Sequence, residues 1–140
     1  MMSVLLSRGK MRFVHDVDPK QSIIDACGPA LEQFEVFYNY VLVGVYMPPK
    51  EAKTESGLYL PEKTKDESMW QGRSCLVLKL GPQAFLDEGD AKFHGQRVDP
   101  GDWVVVRAAD GQSIEVGGQL CRLYRDTQII GRIKDPDSVW

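Results

Sequence analysis

From Phe34 onward, short runs rich in aromatic and β-branched residues alternate with turn signals, and this punctuation limits the chain to a fold of short strands. The run FEVFYNYVLVGVYM, residues 34–47, reads as a strand that MPPKEAKTESG breaks. SCLVLKLG, residues 74–81, is a second strong strand ended by Gly81-Pro82. VDPGDWVVVR gives a turn at Pro100-Gly101 and then a strand, and Asp110-Gly111 predicts a hairpin. SIEV alternates, Gly117-Gly118 turns, QLCRLYR returns, and TQIIGRI predicts one more short strand before the polar tail KDPDSVW. Residues 83–97 have low periodicity and carry the turn signal Asp87-Glu88-Gly89-Asp90. The expected fold is mainly β, a small β-barrel.

The first 33 residues have a different character and read as an extension carrying one short helix. Asp18 is placed to cap it, Pro19 suits its first turn, and Gln21 stands where a capping box wants a partner. Ile23, Ile24 and Ala26 supply an apolar side, and Gly28-Pro29 stops the helix. Met11 is an alternative start, which would make residues 1–10 a loose addition.

At 140 residues the chain fits one domain with a real core. Acids and bases are mixed along it and the net charge is −3, which argues against a groove that tracks phosphates. No apolar run approaches a membrane span, and MMSVLLSRGK is too brief for a signal segment. Cys27, Cys75 and Cys121 are odd in number and far apart, and read as small buried hydrophobes in a reducing compartment. His15, near Asp16 and Asp18, lacks a second nitrogen or sulfur ligand at zinc spacing, and His94 is also alone. Asp87, Glu88 and Asp90 do not follow the calcium-loop spacing. Phosphate-loop, dinucleotide and serine-elbow motifs are absent. Trp103 reads as core, whereas Trp70 and Trp140 suit an edge or a subunit contact. No enzyme activity, metal or cofactor is therefore expected.

One feature stands out from this plain background. In TESGLYLPEKT, residues 54–64, the apolar triplet Leu58-Tyr59-Leu60 sits inside a polar stretch, with Gly57 before it and Pro61 after it. It is either a short strand folded on the barrel or a segment kept exposed for a partner.

Three blocks in order carry a resemblance to the GroES-type co-chaperonins. Val41-Leu42-Val43 leads to Thr54-Glu55-Ser56-Gly57 and Leu58-Tyr59-Leu60-Pro61, similar to a strand and the family's mobile loop. Gln71-Gly72-Arg73 with Cys75-Leu76-Val77-Leu78 and Leu80-Gly81 resembles its second strand, and Val98-Asp99-Pro100-Gly101-Asp102-Trp103-Val104-Val105 its turn and strand. Residues 121–133 resemble the closing strands. The similarity covers roughly residues 36–133 and defines a domain at 34–133, with 47–68 as mobile loop, 82–97 in the place of the roof hairpin, and 134–140 as a tail. The family's opening proline-leucine-histidine-aspartate-arginine pattern is replaced by Val36-Phe37-Tyr38-Asn39-Tyr40, and the extension is additional. The combination looks like the divergent GroES-like proteins of tailed bacteriophages.

The resemblance implies a cap for a chaperonin ring in the bacterial host cytoplasm, with no chemistry of its own. Leu58 and Leu60 would be anchors in a groove between two chaperonin helices, Tyr59 the tolerant middle position, and Gly57 the source of backbone freedom. Burying each anchor contributes about 1.5–3 kcal/mol, while each ordered loop residue costs about 1–2 kcal/mol. One loop therefore nets little, and a ring of tethered loops is needed. The family's seven-membered ring implies subunit contacts through Val36, Phe37 and Tyr38 of one copy and Ile129, Ile130 and Ile133 of the next. The alternative is a virion component, a capsid decoration protein on the same barrel.

Overall fold

The computed structural model describes residues 18–46, 73–89 and 92–136. Helix α1 (Pro19–Cys27) begins as its sequence predicts: the Asp18 carboxylate accepts the Lys20 N–H at 3.3 Å, and Pro19 occupies the first turn. Gln21 does not close a capping box. Its amide instead donates to Asp25 Oδ1 at 2.7 Å, one turn ahead. Gly28, at φ 60, ends the helix. A second short helix, α2 (Ala30–Gln33), follows. Pro29 has helical backbone angles and serves as its N-cap, so the residue that helps stop one helix also opens the next.

Six strands follow: β1 (Tyr40–Val45), β2 (Ser74–Leu80), β3 (Trp103–Val105), β4 (Gln112–Val116), β5 (Gln119–Arg125) and β6 (Gly131–Ile133). They form one antiparallel sheet in the order β4-β5-β1-β2-β3-β6. The mainly β expectation holds, but the barrel needs correction. β4 and β6 end the sheet, and no strand pairing among the described residues joins them. β3 and β6 are only three residues each, so the side that would close the cylinder carries a short ladder.

The Asp110-Gly111 hairpin is also corrected. β3 and β4 lie far apart in the sheet, and the chain passes between them through a 3₁₀ turn, Ala108–Asp110. Gly111 is small for another reason. A Cβ there would lie 2.5 Å from Cζ of Tyr124, whose ring covers the backbone. The Gly117-Gly118 turn does join β4 to β5 as predicted. Among the described residues of the run at 34–47, strand spans Tyr40–Val45, because Tyr38 turns the chain at φ 55.

β1 and β2 are apolar at nearly every position, a pattern that requires cover on both sheet faces. On one face Leu42, Leu76, Leu78, Trp103 and Cys121 pack with Ile23 and Cys27 of α1. On the other, Val41, Val43, Val45, Val77, Val104 and Tyr124 pack with Ala84 and Val98. Gly44 permits the approach of α1, since a Cβ there would fall 2.6 Å from Ile23 Cγ2. The Gly118 N–H donates to Ala26 O at 2.9 Å and ties the end of α1 to the β4–β5 turn.

Candidate partner-binding and subunit-contact surfaces

Gly57, Leu58, Tyr59 and Leu60 lie outside the described residues. What the structure defines is the frame from which residues 47–72 depart and to which they return. β1 and β2 are paired neighbours, and the Tyr46 N–H donates to Ser74 O at 3.0 Å just beyond the last ladder pair. Tyr46 meets the buried Trp103 edge to face, with ring centroids 5.6 Å apart. The Val106 N–H donates to Arg73 O at 2.9 Å on the return side. Trp103 is core, as its sequence context predicts; Trp70 and Trp140 lie outside the described residues.

A second surface forms where three segments meet at Asp126. This carboxylate is 4% exposed and accepts from Asn39 Nδ2 at 3.0 Å, Phe85 N at 3.0 Å and Thr127 N at 2.7 Å. The Asp126 N–H in turn donates to Asn39 O at 3.0 Å. The residues beside these contacts are large, apolar and exposed: Phe37 at 58%, Tyr38 at 63%, Leu86 at 47% and Ile130 at 61%. Tyr38 and Phe85 both have positive φ, 55 and 62, a rare conformation for aromatic residues. The Phe37 and Tyr38 rings pack edge to face, 6.1 Å apart.

Gly81 supports this turn from beneath. A Cβ there would lie 2.2 Å from Tyr38 O and 2.7 Å from Phe37 O, both backbone atoms that cannot rotate away. Gly81→Ala is expected to lower stability by about 2–3 kcal/mol through this overpacking, measured by urea unfolding. A cost under about 0.5 kcal/mol would show that the turn yields freely.

The sequence-predicted contact residues fall in different settings. Phe37, Tyr38 and Ile130 are exposed. Ile129 is half-buried beside the second core cluster, and Ile133 half-buried beside the first. Val36 is buried in the first cluster at 7% exposure. Ile133 belongs to β6, whose outer side pairs with no strand among the described residues. A cleft of about 650 Å³ lies alongside, lined by Phe85, Phe93, Arg97, Ile129, Ile130 and Arg132 among others. The sequence marks Gly81 as the end of a strand but not as the support of the Tyr38 turn, and it does not mark Asp126 as a hub. An acid after a strand and a glycine before a proline have no local signature that tells a structural hub from an ordinary turn.

The three cysteines are buried free thiols, as expected. Burial pushes Cys75 up to about 12 and raises Cys27 and Cys121 as well. Among the described residues no three His, Cys, Asp or Glu side chains gather as a metal site. No helix among them is long and apolar enough to cross a membrane.

Residues 33–133 match the family model of the Chaperonin 10 Kd subunit, Cpn10. The chain belongs to this family. It is 36% identical over 85 residues to the mitochondrial 10 kDa heat shock protein of Schizosaccharomyces pombe, spanning 61% of this chain and 76% of that protein. It is 32% identical over 99 residues to the 10 kDa chaperonin of Brassica napus, spanning 70% and 91%. It is 28% identical over 90 residues to the co-chaperonin GroES of Aquifex aeolicus, spanning 64% and 69%. Two of these names are those of a chaperonin and a co-chaperonin, and the capsid-decoration alternative is not favoured. The Cpn10 match begins at residue 33, so α1 precedes it while packing against its sheet.

Proposed function

We propose that this chain is a co-chaperonin: a homo-oligomeric cap that docks on a GroEL-type chaperonin ring through Leu58-Tyr59-Leu60 and makes or breaks no covalent bond. The observation that carries this reading is the continuity of the Cpn10 match across residues 33–133, which includes both strands flanking residues 47–72. Leu58 and Leu60 are the anchors, each contributing about 1.5–3 kcal/mol when buried in an apolar groove. Gly57 gives the segment freedom to fit, and several tethered copies bind together where one copy would not.

The subunit contacts of the cap involve the exposed Phe37–Tyr38 pair, Ile130 and the free side of β6. An unpaired edge strand is a template for another chain. Its workplace is the compartment that holds the chaperonin. The added helix and the replaced opening pattern suit a divergent, phage-encoded member, which the genomic neighbourhood of the gene would test.

The test is a pull-down of the full chain with a bacterial GroEL-type chaperonin, with and without ATP, alongside native mass spectrometry of the chain alone. Nucleotide-dependent capture and a closed homo-oligomer are the expected results. A monomer that the chaperonin ignores in both conditions would overturn the reading.

A further inference from the structure

The two thiols of the first core cluster belong to different parts of the chain. Cys27 is the last residue of α1 and Cys121 lies mid-way along β5. They are 1% and 0% exposed and share the first core cluster, close enough that each thiol affects the other's ionisation. The contact is built from both sides. The β4–β5 turn closes over the end of the helix, where a Cβ on Gly117 would lie 2.2 Å from Cys27 O, and the Gly118 N–H bonds Ala26 O. Cys75 belongs to the opposite sheet face and its cluster.

Among the described residues, α1 buries few side chains against the sheet. Ile23 and Cys27 are its buried side chains, while Ile24 is 40% exposed. A nine-residue helix held by so little is a natural unit of local opening. When it lifts, Ile23 and Cys27 leave the cluster that they form with Leu42, Leu78 and Cys121, and both thiols meet solvent.

We propose that Cys27 and Cys121 are a redox-active dithiol whose oxidation latches helix α1 onto the sheet. The oxidant is a small-molecule disulfide of the glutathione type. With α1 lifted, the Cys27 thiol loses its proton to solvent and its sulfur attacks one sulfur of the oxidant. One glutathione thiolate leaves and a mixed disulfide remains. Before α1 re-docks, Cys121, still open to solvent, gives its proton to water, and its thiolate attacks the Cys27 sulfur and expels the second glutathione thiolate. Two protein thiols give up two electrons, and one small disulfide becomes two thiols. Burial keeps both thiols protonated while the helix is docked, so opening of α1 sets the rate. The bond joins positions far apart in sequence, which favours a large gain in stability. In the reduced protein the cover is free to lift; in the oxidised protein the apolar face stays shut.

The experiment exposes the full chain to glutathione disulfide, followed by intact mass, peptide mapping and hydrogen exchange. The expected product has lost two hydrogens, yields a linked Cys27–Cys121 peptide, and leaves Cys75 open to alkylation after denaturation. Its Tm rises by at least about 5 °C and exchange of the α1 amides slows at least about tenfold. Cys121→Ser is expected to stop at a glutathione adduct on Cys27. Recovery of both thiols unoxidised while α1 exchanges freely would overturn the proposal. So would a Cys27–Cys75 linkage, or a Cys27–Cys121 bond that leaves α1 exchange unchanged. Chaperonin capture is not a readout here, so this test stands or fails apart from the proposed function.

Discussion

Leu58→Asp is expected to abolish capture by the chaperonin while leaving the fold intact. The lost anchor removes about 1.5–3 kcal/mol per loop, and a carboxylate placed in an apolar groove adds a desolvation cost of about 2 kcal/mol or more. Together these exceed about two orders of magnitude in affinity for each loop. Multivalency enlarges the loss, because every copy in the oligomer carries the same defect. Pull-down with ATP, with a urea melt of the variant beside it, makes the test. Stability should change by no more than about 0.5 kcal/mol. Undiminished capture would remove Leu58 from the contact, and a large fall in stability would place it in the protein's own core. Leu60→Asp should behave alike, and Tyr59→Ala should weaken capture only mildly.

Asp126→Ala is expected to cost about 3–5 kcal/mol and to disperse the oligomer. The carboxylate receives three N–H donors from three segments, and hydrogen bonds to a charged acceptor are each worth about 1.5–3 kcal/mol without being additive. Its removal leaves the Phe85 and Thr127 N–H groups and the Asn39 amide short of an acceptor. It also frees the turns that hold Tyr38, Leu86 and Ile130. Urea unfolding reads the first effect and analytical ultracentrifugation the second. Asp126→Asn, which keeps one acceptor oxygen, should fall between the two proteins. A loss under about 1 kcal/mol with the assembly unchanged would show that solvent replaces the carboxylate at little cost.

Strand β2 could be read directly from its apolar run SCLVLKL, and β5 from QLCRLYR standing after the Gly117-Gly118 turn. Helix α1 could too, because Asp18-Pro19 and Gly28-Pro29 mark both its ends. Asp110-Gly111 misled because a two-residue turn signal is local, whereas the partner of a strand is chosen by packing elsewhere in the sheet. Helix α2 was missed because Pro29 was read for what it forbids behind it and not for what it starts ahead of it. The cover over the second sheet face had a signal that went unused: Val41-Leu42-Val43 and Cys75-Leu76-Val77-Leu78 do not alternate with polar residues. Of the candidate surfaces, the apolar triplet was conspicuous by its polar surroundings. The Asp126 hub was not, since two of its three donors, Asn39 and Phe85, come from segments that only the fold brings to it.

The fit of Ile23 over Gly44 constrains how this chain can change over generations. A methyl gained at the glycine demands a smaller neighbour on the helix, and discarding the helix takes Ile23 and Cys27 out of the first core cluster. The appended segment and the domain it precedes must therefore accumulate substitutions as a pair, and neither can be exchanged with a relative's counterpart alone.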